Sequence, residues 1–292
     1  MSTVDREPTA SGRSGSGVGT RVATGLFAGF GAVVLTFWVP ATPAFAVWMV
    51  IHLWAAVEFV RMARRQLPTA PLRGLYLWIP LAGIGGFTLL QADRDLPALG
   101  VVLLGFGLVV LGAWSTLAAR GAAVEALGSA AVIAFAVPYF AAPALCIYLL
   151  QQRDPFLVLL LFLIVGIGDS AAYFVGRAIG RRKLAPNVSP NKTWEGSIGG
   201  LLFAGGAAAV WAWLRLGRVP LELVVICAAT AIAAQIGDLV ESLFKRGAGV
   251  KDSSHVLPGH GGFYDRLDAT LFAAPTLVAC LWLVGFEIVL PG

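Results

Sequence analysis

Two aspartates stand three residues apart in "HGGFYDRLD", residues 260–268: Asp265 and Asp268. At the start of a helix that spacing turns both carboxylates to one side, where the helix N-terminus tolerates their charge. Asp238 and Glu241 repeat the spacing at the exit of the preceding apolar stretch. Carboxylates converging at one membrane depth repel one another unless a cation sits between them. An all-oxygen donor set without a His/Cys cluster suits Mg²⁺ rather than zinc. Three or four of these carboxylates are therefore expected around one or two cations, Asp265 and Asp268 among them. Lys192, Lys245, Arg246, Lys251 and Arg266 can neutralise phosphates. Gly261 and Gly262 allow a ligand close to the backbone. Acids for a metal and bases for phosphates point to phosphoryl or nucleotidyl transfer. Taken singly, each residue also fits a plainer role, with DRLD capping a helix. The density of both signs between 245 and 268 fits that role poorly. Three tasks stay open to His260: phosphate contact, loop anchor or proton donor.

The elements that must position these groups are membrane helices. The chain is 58% hydrophobic and 13% charged, with mean hydropathy +0.81; a soluble domain carries about 25% charged residues. A helix needs roughly 20 apolar residues to cross the hydrocarbon core. Nine such stretches can be read, near 22–39, 43–61, 74–91, 97–118, 126–150, 155–177, 196–214, 220–243 and 267–289. They are near-continuous and lack alternation, which favours helices over a barrel. The expected fold is an all-α polytopic membrane protein of about nine transmembrane helices, with Pro138 and Pro143 as kink points in the fifth. Residues 1–20, rich in Ser, Gly and Thr, read as a disordered tail. Residues 21–150 form an N-terminal group of helices and 151–292 a catalytic region with loops at 180–197 and 245–266. "AFA" at 44–46 resembles a cleavage site, but the apolar run before it is longer than a signal core, so an uncleaved first helix is expected. Cys146, Cys227 and Cys280 lie singly in apolar stretches and read as packing residues.

Charge orients the chain. Of the 21 Lys and Arg, 17 fall on the N-terminus and on the loops after helices two, four, six and eight. Positive charge marks the cytoplasm, so the N-terminus and both motif loops are expected inside and the C-terminus outside. The net charge of +5 reflects topology and attraction to anionic lipid heads; it calls for no nucleic acid. Acids within membrane helices are functional candidates by default, which singles out Asp169 and Asp238. His52, mid-helix without partners, reads as structural. Glu58 and Glu287 lie near predicted membrane edges, where they can reach water.

The stretch Ser242–Asp268, "SLFKRGAGVKDSSHVLPGHGGFYDRLD", resembles the signature of the phosphatidate cytidylyltransferase (CDP-diacylglycerol synthase) family at every specified position. The resemblance extends to "GDSAAYFVGRAIGRRKL" (168–184), "SPNKTWEGSIGG" (189–200) and "QIGDLVESLFKR" (235–246). It implies CTP and phosphatidate as substrates, CDP-diacylglycerol and pyrophosphate as products, Mg²⁺ as cofactor, and a multi-pass protein of the inner membrane. Carried over, Asp238, Asp265 and Asp268 correspond to the metal-binding carboxylates. Ser189, Lys192, Thr193 and Glu195 correspond to the nucleotide and phosphate site. Lys245, Arg246, Lys251, Asp252, His260 and Arg266 complete the polar pocket, with Asp169 beside it. Membrane lipids are expected neighbours, and a homodimer is compatible with the chain.

Other readings fare worse. "GIGD" (166–169), "YD" (264–265) and "PAL" (143–145) echo intramembrane aspartyl proteases, but in the wrong order. A transporter would place acids along a route to both faces, whereas these gather on one. A polyprenol kinase or a cytidylyltransferase for another lipid is a closer alternative.

Overall fold

The computed structural model describes residues 18–91 and 125–286. The expected fourth helix (97–118), nearly all of the expected tail and Glu287 lie outside the described residues. Within them the chain forms eight α-helices: α1 (Val18–Phe37), α2 (Ala41–Gln66), α3 (Leu75–Gln91), α4 (Ala126–Arg153), α5 (Pro155–Ile179), α6 (Trp194–Leu216), α7 (Leu221–Gly247) and α8 (Tyr264–Leu283). Seven spans are long and apolar enough to cross a membrane, the one ending in α3 counted from Leu72. Helix α1 begins at Val18, inside the segment expected to be disordered. The cleavage-like Ala44–Phe45–Ala46 lies within α2, with Ala44 and Phe45 buried. Helix α4 runs without a break through Pro138 and Pro143.

The all-α architecture carries one small addition. Residues expected as loop form an antiparallel hairpin of β1 (Lys183–Ala185) and β2 (Ser189–Thr193), with Lys183 opposite Thr193 and Ala185 opposite Ser189. The hairpin is short enough that periodicity could not reveal it. Its strands carry Lys, Asn and Ser because they stand in a polar setting beside the cavity described below.

The helices bury small and aliphatic side chains against one another and turn large apolar ones outward: Leu202, Leu214 and Trp282 are exposed. In a membrane such an outer surface meets acyl chains rather than water. Helices α5 and α6 approach closely enough that a Cβ on Gly200 would sit 2.7 Å from the Gly168 carbonyl oxygen, as small-residue packing between membrane helices requires. A second core gathers aromatic rings under the start of α8. Phe59 of α2 contacts Tyr139, Phe140, Phe244 and Tyr264 with ring centroids 5.5–6.5 Å apart. Tyr264 is fully buried there, and its hydroxyl lies 3.3 Å from that of Tyr139. That plug fixes the helix that carries Asp265, Arg266 and Asp268.

Candidate active site

A cavity of about 620 Å³ opens between α5, the hairpin, α7 and the first turn of α8. Asp169 reaches it from α5, Lys192 and Thr193 from β2, Asp238 from α7, and Asp265, Arg266 and Asp268 from α8. Groups not singled out in the sequence complete the wall: Tyr173, Arg177, Lys183, Asn191, Ser197 and Gln235. Arg177 donates to the Tyr173 hydroxyl at 3.0 Å. Gln235 donates to the Ser197 carbonyl at 3.0 Å and accepts from the Ser197 hydroxyl, tying α6 to α7. These six lie within or beside the motif stretches, and helical spacing from Asp169 and Asp238 was the available signal for Tyr173, Arg177 and Gln235.

The carboxylates meet where α7 and α8 touch. Asp238, Glu241 and Asp268 each offer an oxygen, all within 4.8 Å of one another. Lys192 Nζ lies 2.7 Å from Asp238 Oδ2. Asp268 accepts from the amide of Ala269 at 2.8 Å. Three oxygen donors at this separation fit a hard divalent cation and no soft metal. Glu241, nearly fully buried, joins Asp238 and Asp268 in this cluster, and Asp265 lies beside Glu241.

Asp265 is instead held on every side. Its oxygens accept from Lys245 Nζ at 2.9 Å, from the Ser253 amide and hydroxyl at 3.0 and 2.9 Å, and from the Gly262 amide at 2.8 Å. Lys245 also lies 2.7 Å from Glu241, so it is a strut between α7 and α8 and does not line the cavity. The two aspartates of DRLD thus face different tasks, although both point to one side as the spacing required.

Several residues expected at the site also make contacts within the protein. Glu195 accepts from the amides of Arg181 and Arg182 at 3.0 and 3.2 Å, anchoring the strand entry. Thr193 caps α6 by accepting from Gly196 at 3.1 Å. Arg246 reaches the Val188 carbonyl at 3.4 Å, joining the hairpin tip to the end of α7. Ser189 pairs with Ala185 in the hairpin. Lys251 and Asp252 are exposed on the loop, away from the cavity wall. His260 sits beside α1, where a Cβ on Gly25 would lie 3.5 Å from its Nε2, and Thr24 donates to the neighbouring Pro258 carbonyl.

Gly261 and Gly262 stand in close contact with neighbouring protein atoms. Gly261 has φ +77°, a left-handed conformation glycine adopts without strain, and closes a bridge with Leu257. A Cβ on Gly262 would run into the Glu58 carboxylate and the Ser253 hydroxyl. Glu58 was expected to reach water; it is fully buried. It accepts from the hydroxyls of Ser253 and Ser254 at 2.9 and 2.6 Å and from the amides of Phe263 and Tyr264 at 3.2 and 2.8 Å. The rule that flagged Asp169 and Asp238, an acid inside an apolar helix, applied to Glu58 too. His52, by contrast, is structural as expected: it is buried, with Nδ1 2.7 Å from the Trp48 carbonyl.

Comparison with known proteins agrees with the motif layout. The model of the cytidylyltransferase family matches residues 19–284. A phosphatidate cytidylyltransferase of Haemophilus influenzae is 46% identical over 125 residues, which cover 41% of this chain and 43% of that protein. One of Brucella suis is 35% identical over 275 residues, covering 92% and 94%. One of Pseudomonas aeruginosa is 44% identical over 132 residues, covering 44% and 49%. The first and third alignments span less than half of each relative, whereas the second spans nearly all of it.

Proposed function

The chain belongs to the cytidylyltransferase family, and on that premise we propose that its cavity joins CTP to phosphatidate, giving CDP-diacylglycerol and pyrophosphate. The carrying observation is one cavity that brings Asp238 and Asp268, two members of the carboxylate cluster, together with Lys192, Arg177 and Arg266. A phosphomonoester has a second pKa of roughly 6, so the phosphatidate oxygen is already anionic near neutral pH and needs no strong base. It attacks the α-phosphorus of CTP. The new bond forms there as the bond to the β-phosphate oxygen breaks, and the electron pair leaves with pyrophosphate.

The chain's own groups serve two needs of that reaction: bringing two anions together and stabilising charge on the leaving group. Asp238, Glu241 and Asp268 would hold Mg²⁺, which neutralises phosphate charge when bound. Lys192 can move from Asp238 to a phosphate oxygen without leaving the cavity. Arg177 and Arg266, both in the cavity wall, offer guanidinium groups that suit phosphates. Asp265, held by Lys245 and Ser253, keeps the first turn of α8 in place. The acyl chains stay in the bilayer against the outer faces of the helices.

The reading extends to topology: nine crossings, the motif end in the cytoplasm, where CTP is found, and the C-terminus outside, in the inner membrane. Gln91 bonds to Tyr148 near the far end of α4, whereas Glu125 bonds to Thr69 just after α2, at the motif end. Thr69 and Glu125 therefore stand together at the motif end of the bundle, and Gln91 and Tyr148 at the opposite end.

The test is an assay of the purified full-length protein with labelled CTP, phosphatidate and Mg²⁺. A lipid-linked CMP product supports the reading. Failure to form it under varied lipid and metal conditions defeats it.

A further inference from the structure

Glu58 stands in α2 about two hundred residues from the loop it binds, outside every motif stretch. A carboxylate fully removed from water must satisfy its oxygens, and here both are satisfied by one loop. Oε1 takes the Ser254 hydroxyl and the Phe263 amide; Oε2 takes the Ser253 hydroxyl and the Tyr264 amide. Two of these amides are among the first N–H groups of α8, which have no partner within the helix. Phe263, the residue before α8, makes no side-chain cap of its own. Glu58 therefore caps α8 from another helix, where a negative charge also meets the positive end of the helix dipole.

The second link runs through Ser253. Its hydroxyl is shared between Glu58 and Asp265, 2.9 Å from each, and its amide also bonds Asp265. Gly262 admits this arrangement because it has no side chain. A continuous path thus leads from Glu58 through Ser253 to Asp265, and from Glu58 through the α8 amides to the turn that carries Arg266 and Asp268.

We propose that Glu58 is a positioning residue for the reaction: it caps α8 in trans and, through Ser253, sets the placement of the α8 acids in the cavity. The proposal rests on the cytidylyltransferase reading for its rate effect, but not for its structural effect. It differs from a general packing role because the carboxylate bonds one loop and one helix start.

The test uses the full chain in lipid nanodiscs, with Glu58→Gln, Glu58→Asp, Ser253→Ala and the Glu58→Gln/Ser253→Ala double variant. Glu58→Gln keeps the shape but turns one acceptor into a donor facing two donors. Amide exchange across residues 253–265 is expected to quicken by roughly 10-fold or more while exchange across the hairpin stays unchanged. With CTP and phosphatidate, kcat is expected to fall by roughly 10–100-fold with KM for CTP little changed, since the loss falls on alignment. Glu58→Asp recovers part of the rate, and the double variant is little worse than Glu58→Gln alone, because both break one path. Unchanged exchange across 253–265 in Glu58→Gln overturns the proposal, as does a lowered melting temperature with kcat intact. If the wild type makes no lipid-linked CMP product, the functional reading fails, and the exchange experiment still decides the role of Glu58.

Discussion

Lys192 and Asp238 form an ion pair of 2.7 Å across the cavity, each side chain about a quarter exposed at 26%. The pair joins β2 to α7 and holds an ammonium at the point where the carboxylates meet. Partly exposed pairs contribute about 0–1 kcal/mol to stability, so its value lies in the charge it keeps at hand for a phosphate. Lys192→Ala is expected to leave the melting temperature within a few degrees while raising KM for CTP by roughly 10-fold or more and lowering kcat, as loss of a charged hydrogen bond would. Titrating CTP against the variant checks it; an unchanged KM would show that Lys192 belongs to the fold alone.

Glu241 and Asp265 share Lys245 but face different neighbours. Glu241 stands in the oxygen cluster with Asp238 and Asp268, whereas Asp265 is bonded to Ser253 and Gly262. Chelation of divalent cations should abolish turnover, and Mg²⁺ should restore it. Glu241→Gln should then raise the Mg²⁺ concentration for half-maximal rate by roughly 10–100-fold, as disturbance around a metal typically does. Asp265→Asn should depress kcat with a much smaller change in Mg²⁺ dependence. Equal shifts in the two variants would put both acids around the cation.

Gly262 has no room for a methyl group, because a Cβ would overlap the Glu58 carboxylate and the Ser253 hydroxyl. Gly262→Ala must push the loop off Glu58, and overpacking of this kind costs about 1–3 kcal/mol. Thermal unfolding of the purified variant should show the loss, with activity falling alongside it. Gly261→Ala strains a residue at φ +77° and crowds Asp265, so it should also destabilise, by about 1–2 kcal/mol from the backbone alone. A variant at either position with wild-type melting and rate would contradict the tight loop geometry.

The helices were legible because the bilayer demands long apolar runs: α4, α5, α6 and α7 begin or end within a few residues of the stretches read from hydropathy. The polar motifs located the cavity for the same reason, since charge inside such runs is costly. Division of labour among the polar residues was not legible. Spacing placed Asp265 and Asp268 on one side of α8, yet only tertiary packing decides that Asp265 meets Ser253 while Asp268 meets Asp238 and Glu241. Glu195, Arg246 and Gly262 also make backbone contacts beside the site that no spacing encodes. Glu58 escaped because its partner loop is about two hundred residues away.

Topology offers a test independent of chemistry. Arg218 follows α6 and Lys251 follows α7, and both are exposed, so one helix separates them. Positive charge concentrates on the Lys251 side, and the proposed topology puts that side in the cytoplasm. In a background with Cys146, Cys227 and Cys280 replaced by Ala, a single cysteine at either position reports its side through a membrane-impermeant maleimide. Arg218→Cys should react in intact cells freed of their outer membrane, and Lys251→Cys only after the membrane is opened or inverted. A cysteine at Arg73, after α2, should behave like the one at Lys251, because two crossings return the chain to the same side before α3. Labelling of Lys251→Cys from outside would invert the orientation and separate the carboxylate cluster from cytoplasmic CTP, which would remove the topological support for the proposed reaction.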